Sequence, residues 1–237
     1  MIRLAAVWLF LAGPAAAVTC EDITFKDARF TTCQVNVGQE DLRLFLDDGA
    51  GEIFGSFDRV GEAHSGRLSF AMNAGMYHDD RSPVGLYIKD GREIAPIVTR
   101  EGPGNFGLLP NGVFCIRETS ADVIESLRFV AEETTCEYAT QSGPMLVIDG
   151  ALHPRFIDGG TSRKVRNGVG TTVDGSIAVF AISNEPVNFY DFASLFRDHL
   201  GVHQALFLDG SISRLYAPDL NRNDAGFQLG PIVGVID

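Results

Sequence analysis

The chain has 237 residues, a hydrophobic fraction of 45% and a formal net charge of −12. Its charged fraction of 21% together with that apolar content excludes a disordered chain, and the length fits one domain. Because nonspecific nucleic-acid binding needs basic patches, so acidic a chain is not expected to have a nucleic acid as partner.

The N-terminus has the pattern of a signal peptide. Arg3 is the only charge before Glu21, residues 4–12 are apolar, and residues 15–17 supply an Ala-x-Ala cleavage site. The apolar run is shorter than the roughly 20 residues that span a bilayer. We therefore predict a signal peptide over residues 1–17, a mature domain over residues 18–237, a periplasmic or secreted location and no stable membrane insertion.

Four cysteines, an even number, are distributed along the chain: Cys20, Cys33, Cys115 and Cys136. In an exported protein such a count indicates two disulfides, for which three connectivities exist. Proximity in sequence favours Cys20–Cys33 and Cys115–Cys136. The spacing is not that of a Cys-x-x-Cys zinc or redox motif.

Alternation of apolar and charged residues over 41–47 predicts a half-buried strand. A turn at Asp48-Gly49 then leads to a predicted short strand over 53–57, so that the two strands form a hairpin. Apolar runs predict further strands at residues 68–72, 84–89, 112–116, 145–148, 169–173, 177–182, 205–208 and 232–236.

Helices are fewer. Residues 189–200 place apolar side chains on one face at helical spacing, with Asn188 as N-cap and Gly201 as C-cap. A second helix is predicted over 121–130, capped by Thr119 or Ser120. Many strands with few helices indicate an α+β fold, a single domain with flanking helices. The connection from Ile182 through the long helix predicts a βαβ crossover and hence a mixed β-sheet.

Polar residues lie beside glycine at the ends of several apolar runs. The clearest case is Asp209-Gly210-Ser211, followed by Ser213 and Arg214, directly after the predicted strand 205–208. Glycine permits tight turns and close approach to a ligand, and site residues often lie on loops held by a rigid strand. The same pattern occurs at Asn73-Ala74-Gly75, Gly104-Asn105, Asn111-Gly112, Ser142-Gly143-Pro144 and Arg166-Asn167-Gly168.

Four of these segments, in this order, resemble the phosphodiester glycosidase family: Asn73-Ala74-Gly75, Ser142-Gly143-Pro144, Arg166-x-x-x-Gly170 and Leu208-Asp209-Gly210-x-x-Ser213. The resemblance extends from about residue 70 to the C-terminus and is greatest to a bacterial secreted subgroup of unassigned substrate. The chain departs from the family's usual Asn-Gly-Gly, Arg-Thr-Ala and Asp-Gly-Gly-Gly-Ser. The sugar specificity of characterised members is therefore not carried over.

The resemblance implies an exported hydrolase that cleaves a glycosyl-phosphodiester or related glycosidic bond in envelope or exopolysaccharide material. Arg166 is the candidate phosphate-binding catalytic residue, because its planar guanidinium can hold two phosphate oxygens. Asp209 is the candidate acid or base, because burial at a strand end would raise its pKa. The predicted substrate-binding residues are Asn73, Gly75, Ser142, Gly143, Asn167, Gly210 and Ser213.

Two other function classes stay open. One is a noncatalytic sugar-binding or envelope-interaction domain on the same fold, and the other is a metal-dependent nuclease or phosphatase, which needs clustered carboxylates. No cofactor is predicted, although His78-Asp79-Asp80 leaves room for a divalent cation such as calcium. The expected partner is a carbohydrate or sugar phosphate, and the oligomeric state is open. Both the hydrolase and the sugar-binding hypotheses expect one cleft that contains Asn73, Ser142, Arg166 and Asp209.

Overall fold

The computed structural model describes residues 18–237, and the predicted signal peptide lies outside the described residues. The strands, numbered in chain order, are β1 Thr19–Phe25, β2 Ala28–Asn36, β3 Asp41–Phe45, β4 Leu68–Asn73, β5 Tyr87–Lys89, β6 Arg92–Ala95, β7 Gly112–Ile116, β8 Ala121–Glu125, β9 Tyr138–Ser142, β10 Met145–Ile148, β11 Ala151–Leu152, β12 Asn167–Thr171, β13 Ile177–Ser183, β14 Gln204–Asp209, β15 Leu215–Ala217, β16 Arg222–Asn223 and β17 Ile232–Ile236. The helices are α1 Phe57–Ala63, α2 Ser126–Ala131 and α3 Phe189–Ser194, with a π-helical turn at Leu195–His199 and a 3-10 turn at Pro218–Leu220.

The strands form three sheets. One has seven strands in the order β1-β2-β13-β12-β14-β10-β11, and two have five each, β16-β15-β4-β17-β3 and β6-β5-β9-β7-β8. The fold is therefore mostly β, with α1, α2 and α3 as short additions to the sheets. The α+β expectation holds only in this coarse sense.

The three sheets share one hydrophobic core. Phe70 on β4, Phe114 on β7 and Phe180 on β13 meet there, with ring centroids of Phe180 lying 4.9 Å from Phe70 and 5.7 Å from Phe114. The opposite face of the seven-stranded sheet is covered by α3, whose Phe192 is fully buried. This second cluster includes Ala205 and Phe207 of β14.

The predicted mixed sheet is wrong. Every pairing between named strands is antiparallel in residues 18–237, including β12 with β13 and β12 with β14. The connection through α3 does run between two strands that point the same way. However, β12 lies between β13 and β14, so these two strands never pair with each other.

Two local predictions are also wrong. Residues 53–57 form no strand beyond a single bridge from Ile53 to Asp47. Instead Ser56 caps α1, its hydroxyl accepting the N–H of Arg59 at 3.3 Å. The predicted helix over 121–130 begins only at Ser126, because residues 121–125 alternate between buried and partly exposed positions and pair with β7 as β8.

The predicted helix over 189–200 is confirmed with a change. Asn188 caps it, its side-chain Oδ1 accepting the N–H of Asp191 at 2.8 Å. The α-helix ends at Ser194, continues as the π-helical turn, and Gly201 follows with a φ of 65°. The remaining predicted strands match β3, β4, β5, β7, β10, β12, β13, β14 and β17 within a few residues.

The disulfide pairing favoured by the sequence is confirmed. Cys20 pairs with Cys33 across β1 and β2, where the two residues are directly opposite in register, and Cys115 pairs with Cys136. None of the helices in residues 18–237 is long and apolar enough to cross a membrane.

Candidate functional site

The candidate site lies where two neighbouring strands of the seven-stranded sheet carry polar residues. Asp209 is the last residue of β14, and Asn167, the first residue of β12, is its register partner. The register shifts between Asn167 and Gly168, so the ladder is irregular at this point. Phe207, two residues before Asp209 on β14, belongs to the cluster under α3.

Asp209 is a buried carboxylate, with 6% of its surface exposed. Its Oδ1 accepts the backbone N–H of Ser211 at 2.6 Å and that of Ile212 at 3.2 Å. Burial raises the pKa of Asp209 above the ordinary 3.8, and the backbone hydrogen bonds offset part of that rise. The turn is thus tied to its own side chain while the carboxyl group retains a tendency to hold a proton.

Arg166 is the residue directly before β12 and is 1% exposed. Its Nε donates to the carbonyl of Val187 at 3.0 Å, and Nη2 donates to the carbonyl of Ser162 at 2.9 Å. Both acceptors are neutral. Burial lowers the pKa of Arg166 to about 10, so the guanidinium stays charged at neutral pH.

Aromatic rings support the Arg166 cation. The guanidinium carbon lies 3.6 Å from the ring centroid of Phe189 and 5.4 Å from that of Phe207. Phe156 also stacks on Phe189, with centroids 4.9 Å apart and planes 11° apart. The ion pairs among residues 18–237 involve lysines and other arginines, so no carboxylate of the described chain pairs with Arg166.

Gly210, the residue after Asp209, lies beside the guanidinium of Arg166. A Cβ atom added to Gly210 would lie 3.4 Å from Nη1 of Arg166 and 3.0 Å from Cζ of Phe207. Such a Cβ would crowd the ring of Phe207 but only touch Arg166 at ordinary van der Waals distance, so the backbone at Gly210 lies directly beside the guanidinium. Arg166 and Asp209 border one region, although they do not form an ion pair with each other.

Asn73 and Asn167 join two sheets. The Nδ2 of Asn167 donates to the carbonyl of Asn73 at 2.9 Å, and Nδ2 of Asn73 donates to Oδ1 of Asn167 at 3.3 Å. Oδ1 of Asn73 also accepts the backbone N–H of Arg214 at 2.9 Å. Both asparagines are fully buried, and these bonds engage their amides with protein rather than solvent.

Ser213 and Ser142 fix the backbone around Asp209. Ser213 Oγ lies within hydrogen-bond distance of the carbonyls of Asp209, at 3.0 Å, and Val165, at 3.1 Å. Ser142 is fully buried, and its Oγ donates to the carbonyl of Leu208 at 3.0 Å. The two hydroxyls thus hold the residue before Asp209 and the turn after it.

Gly75 and Gly143 are places of close packing. Gly75 has a φ of 146°, and an added Cβ would lie 3.1 Å from Thr140 Oγ1. An added Cβ on Gly143 would lie 2.7 Å from Asn111 Cβ. The added Cβ of Gly75 would also lie 3.9 Å from that of Ser142, which brings the Asn73 and Ser142 segments side by side.

Tyr77 and Arg214 complete the surroundings. Burial, and secondarily the charge of Asp209, raise the pKa of Tyr77. Arg214 follows the Asp209 turn and is 8% exposed. The sequence placed Arg214 in the motif without a role, and nothing in the sequence indicated that Phe156 and Phe189 lie beneath Arg166.

Two neighbouring polar features of the sequence are exposed. Arg163, three residues before Arg166, is one of them. His78, Asp79 and Asp80 are exposed too, and in the described part of the chain no three His, Cys, Asp or Glu side chains converge as metal ligands. The calcium hypothesis at His78-Asp79-Asp80 thus lacks a converging ligand set.

Comparisons with known proteins agree with the family resemblance. The phosphodiester glycosidase family model matches residues 66–235. The uncharacterized protein YigE of Escherichia coli K12 is 36% identical over 225 residues, covering 91% of this chain and 87% of that protein.

A solved structure shares the fold. The catalytic domain of zebrafish N-acetylglucosamine-1-phosphodiester alpha-N-acetylglucosaminidase, auto-inhibited by its pro-peptide, is similar with a TM-score of 0.65. The match covers 96% of this chain and 85% of the zebrafish chain at 13% identity. At that identity the likeness concerns the fold, whereas the family model covers well over half of the sequence. The chain therefore belongs to the phosphodiester glycosidase family.

Proposed function

We propose that the protein is an exported hydrolase that cleaves a glycosyl phosphodiester, or a related glycosidic bond, in envelope or exopolysaccharide material. Family membership supports the reaction class. The observation that carries the proposal is the buried guanidinium of Arg166, which has no carboxylate partner in the described chain and borders the turn that holds Asp209.

Arg166 would bind the phosphate of the substrate. A buried charge without a counter-ion is costly, and an anion bound beside it would offset that cost. Its Nε and Nη2 are already bonded to carbonyls, which leaves Nη1, on the side of Gly210, to meet a phosphate oxygen. The net charge of −12 gives no general attraction for anions, so the positive charge must be supplied locally.

Asp209 would exchange the proton that hydrolysis requires. Water forms a bond to the anomeric carbon, the bond from that carbon to the phosphate oxygen breaks, and the phosphate departs as a monoester. The raised pKa of Asp209 brings its carboxyl group closer to the range in which proton transfer is efficient. Its Oδ1 is engaged by backbone N–H groups, so Oδ2 would be the oxygen that exchanges the proton.

The buried amides and hydroxyls would position these two groups rather than touch the sugar. Asn73 and Asn167 hold two sheets together at the start of β12. Ser142 and Ser213 hold the end of β14 and the following turn. Gly75, Gly143 and Gly210 permit the close backbone approach around them. The substrate-binding role predicted for this set therefore becomes an indirect one.

Activity screening tests the proposal. The mature protein is incubated with a panel of glycosyl phosphodiesters, with and without chelator, beside Asp209→Asn and the exposed control Asp219→Asn. We expect turnover by the parent and the control, and a rate about 10²–10⁴-fold lower for Asp209→Asn with KM nearly unchanged. If folded Asp209→Asn turns over substrate at the parent rate, the proton-transfer role is wrong. Binding of sugar without turnover of any diester would favour the noncatalytic domain.

A further inference from the structure

One large aromatic side chain on the loop between β16 and β17 faces solvent. Phe227 is 78% exposed, whereas phenylalanines on the strands and helices of the core, such as Phe70 and Phe207, are fully buried. A single exposed apolar residue is common on protein surfaces and by itself requires no explanation. The way in which the surrounding backbone is held distinguishes Phe227.

The segment 224–228 is fastened on one side by Arg214. Its Nε donates to the carbonyl of Asp224 at 2.7 Å, and its Nη1 donates to the carbonyl of Phe227 itself at 2.9 Å. The carboxylate of Asp224 in turn accepts the backbone N–H of Leu215 at 3.0 Å. Arg214, which is 8% exposed, thus donates two hydrogen bonds to the backbone of this loop.

The other side of the segment is fastened by Tyr77. Its hydroxyl donates to the carbonyl of Gln228 at 2.9 Å, and an added Cβ on Gly230 would lie 2.6 Å from the Tyr77 ring. The backbone N–H of Leu229 also donates to the carbonyl of Gly55 at 2.8 Å. The phenyl ring of Phe227 is therefore exposed on a loop whose backbone is held at both ends.

Both anchors belong to the surroundings of Asp209. Arg214 ends the turn that Asp209 begins, and its N–H is bonded to Asn73. Tyr77 is close enough for the charge of Asp209 to affect it. Arg166, by contrast, approaches the turn at Gly210 and is supported by rings from the α3 side. The guanidinium of Arg166 and the loop that carries Phe227 therefore contact different residues around Asp209.

This arrangement matches the two halves of a glycosyl phosphate. The phosphate half is anionic and fits the guanidinium. The sugar half is uncharged, and one face of a pyranose ring presents mainly C–H groups, which pack against the face of an aromatic ring. Contact would also remove the apolar surface of Phe227 from water, which is favourable in itself.

We propose that Phe227 is the platform on which the glycosyl ring of the substrate stacks, and that it is a specificity-determining residue. The inference rests on the proposed function for the position of the phosphate and the scissile bond. It adds a sugar subsite, formed by the anchored segment 224–228, on the Tyr77 and Arg214 side of Asp209.

The test compares Phe227→Ala with Phe227→Trp and with Val173→Ala. Val173 is 79% exposed and follows the far end of β12, so it controls for loss of an exposed apolar side chain. On a glycosyl phosphodiester that the parent hydrolyses, we expect Phe227→Ala to raise KM about 5- to 50-fold with kcat within about threefold, in line with the effect of removing a stacking ring. Phe227→Trp and Val173→Ala should retain the parent KM. An unchanged KM in Phe227→Ala would overturn the inference.

A binding experiment separates this inference from the hydrolase proposal. Saturation-transfer NMR is recorded with methyl α-glucopyranoside, methyl α-mannopyranoside and methyl α-N-acetylglucosaminide, and inorganic phosphate is titrated in parallel. Loss of glycoside binding in Phe227→Ala, with phosphate binding retained, supports the subsite even if no diester is hydrolysed. Equal glycoside binding by parent and Phe227→Ala, no binding by the parent, or an equal loss of phosphate binding would each contradict it.

Discussion

The guanidinium carbon of Arg166 lies 3.6 Å from the ring centroid of Phe189, which itself stacks on Phe156. The same guanidinium donates hydrogen bonds to two backbone carbonyls, those of Val187 and Ser162. An arginine supported in this way needs no carboxylate to remain in place. No carboxylate of residues 18–237 pairs with it, and the proposed binding of an anionic substrate depends on that free positive charge.

Replacing Phe189 by leucine should loosen Arg166 without removing it. The loss of a desolvated cation–π contact is expected to weaken binding of inorganic phosphate by about 1–2 kcal/mol. Phe54→Leu, at a buried ring in the separate cluster with Phe57, serves as the control for general loss of aromatic packing. Calorimetric titration with phosphate gives the measurement, and equal affinities for Phe189→Leu and the parent would show that the ring does not support the cation.

Arg166→Lys keeps a positive charge but removes the planar fork and the bonds from Nε and Nη2. Charged hydrogen bonds contribute about 1.5–3 kcal/mol, so phosphate binding and turnover should both weaken by about that amount. Arg163→Lys makes the same change at an exposed arginine three residues earlier and should leave both unchanged. If the two lysine variants behave alike in phosphate titration and in rate, the assignment of Arg166 to the phosphate is wrong.

Strands with continuous apolar character were predictable from sequence. Burial on both faces of a strand produces an uninterrupted apolar run, such as residues 205–208. The turn at Asp209 was predictable for the same reason, since polar residues end that run abruptly. The beginning of α1 was not, because Phe57 fits a strand as well as a helix until Ser56 is seen to accept the N–H of Arg59.

The sheet order and the contents of the site depend on contacts between distant segments. The position of β12 between β13 and β14, which makes the sheet antiparallel, has no local signal. The same holds for the bonds between Asn73 and Asn167, 94 residues apart. The substrate-binding role of these polar residues stays a prediction from sequence, and hydrogen bonds show that Asn73, Asn167 and Ser142 also bind other parts of the protein.

Phe192 provides a test of the packing under the site. It is fully buried between α3 and the seven-stranded sheet, so Phe192→Asp places a charge in an apolar cluster and should cost several kcal/mol of unfolding free energy. Tyr190→Asp makes the same change on the same helix at a half-buried ring beside Lys26 and should cost much less. Urea unfolding followed by circular dichroism gives both values, and equal stabilities of the two variants would contradict the described packing.

Export and the disulfides can be tested together by mass. We expect protein recovered from the periplasm or medium to lack residues 1–17 and to be four hydrogens lighter than the reduced chain, because both cysteine pairs are oxidised. Removing the pair Cys115–Cys136 as a double alanine variant should destabilise the protein by about 2–4 kcal/mol. Four free thiols in exported material, or recovery only of the full chain from the cytoplasm, would contradict this prediction.

The pH dependence of stability tests the environment of Asp209 independently of any substrate. Its pKa in the folded protein lies above the ordinary 3.8, because burial disfavours the charged form. Below pH 3.8 both folded and unfolded states hold the proton, and the carboxyl group imposes no penalty. Because the folded state binds the proton more tightly, the neutral carboxyl favours folding in acid. As the pH rises through the folded pKa, the group must ionise in a buried position, and the free energy of unfolding falls.

Asp209→Asn keeps the shape of the neutral carboxyl and an oxygen for the N–H groups of Ser211 and Ile212, but it cannot ionise. The variant should therefore have a higher melting temperature than the parent at pH 7, and the difference should shrink towards zero as the pH is lowered below about 4. Asp219→Asn, at an exposed position, should show no such trend. A difference that is constant with pH, or one that grows in acid, would show that burial does not raise the pKa of Asp209.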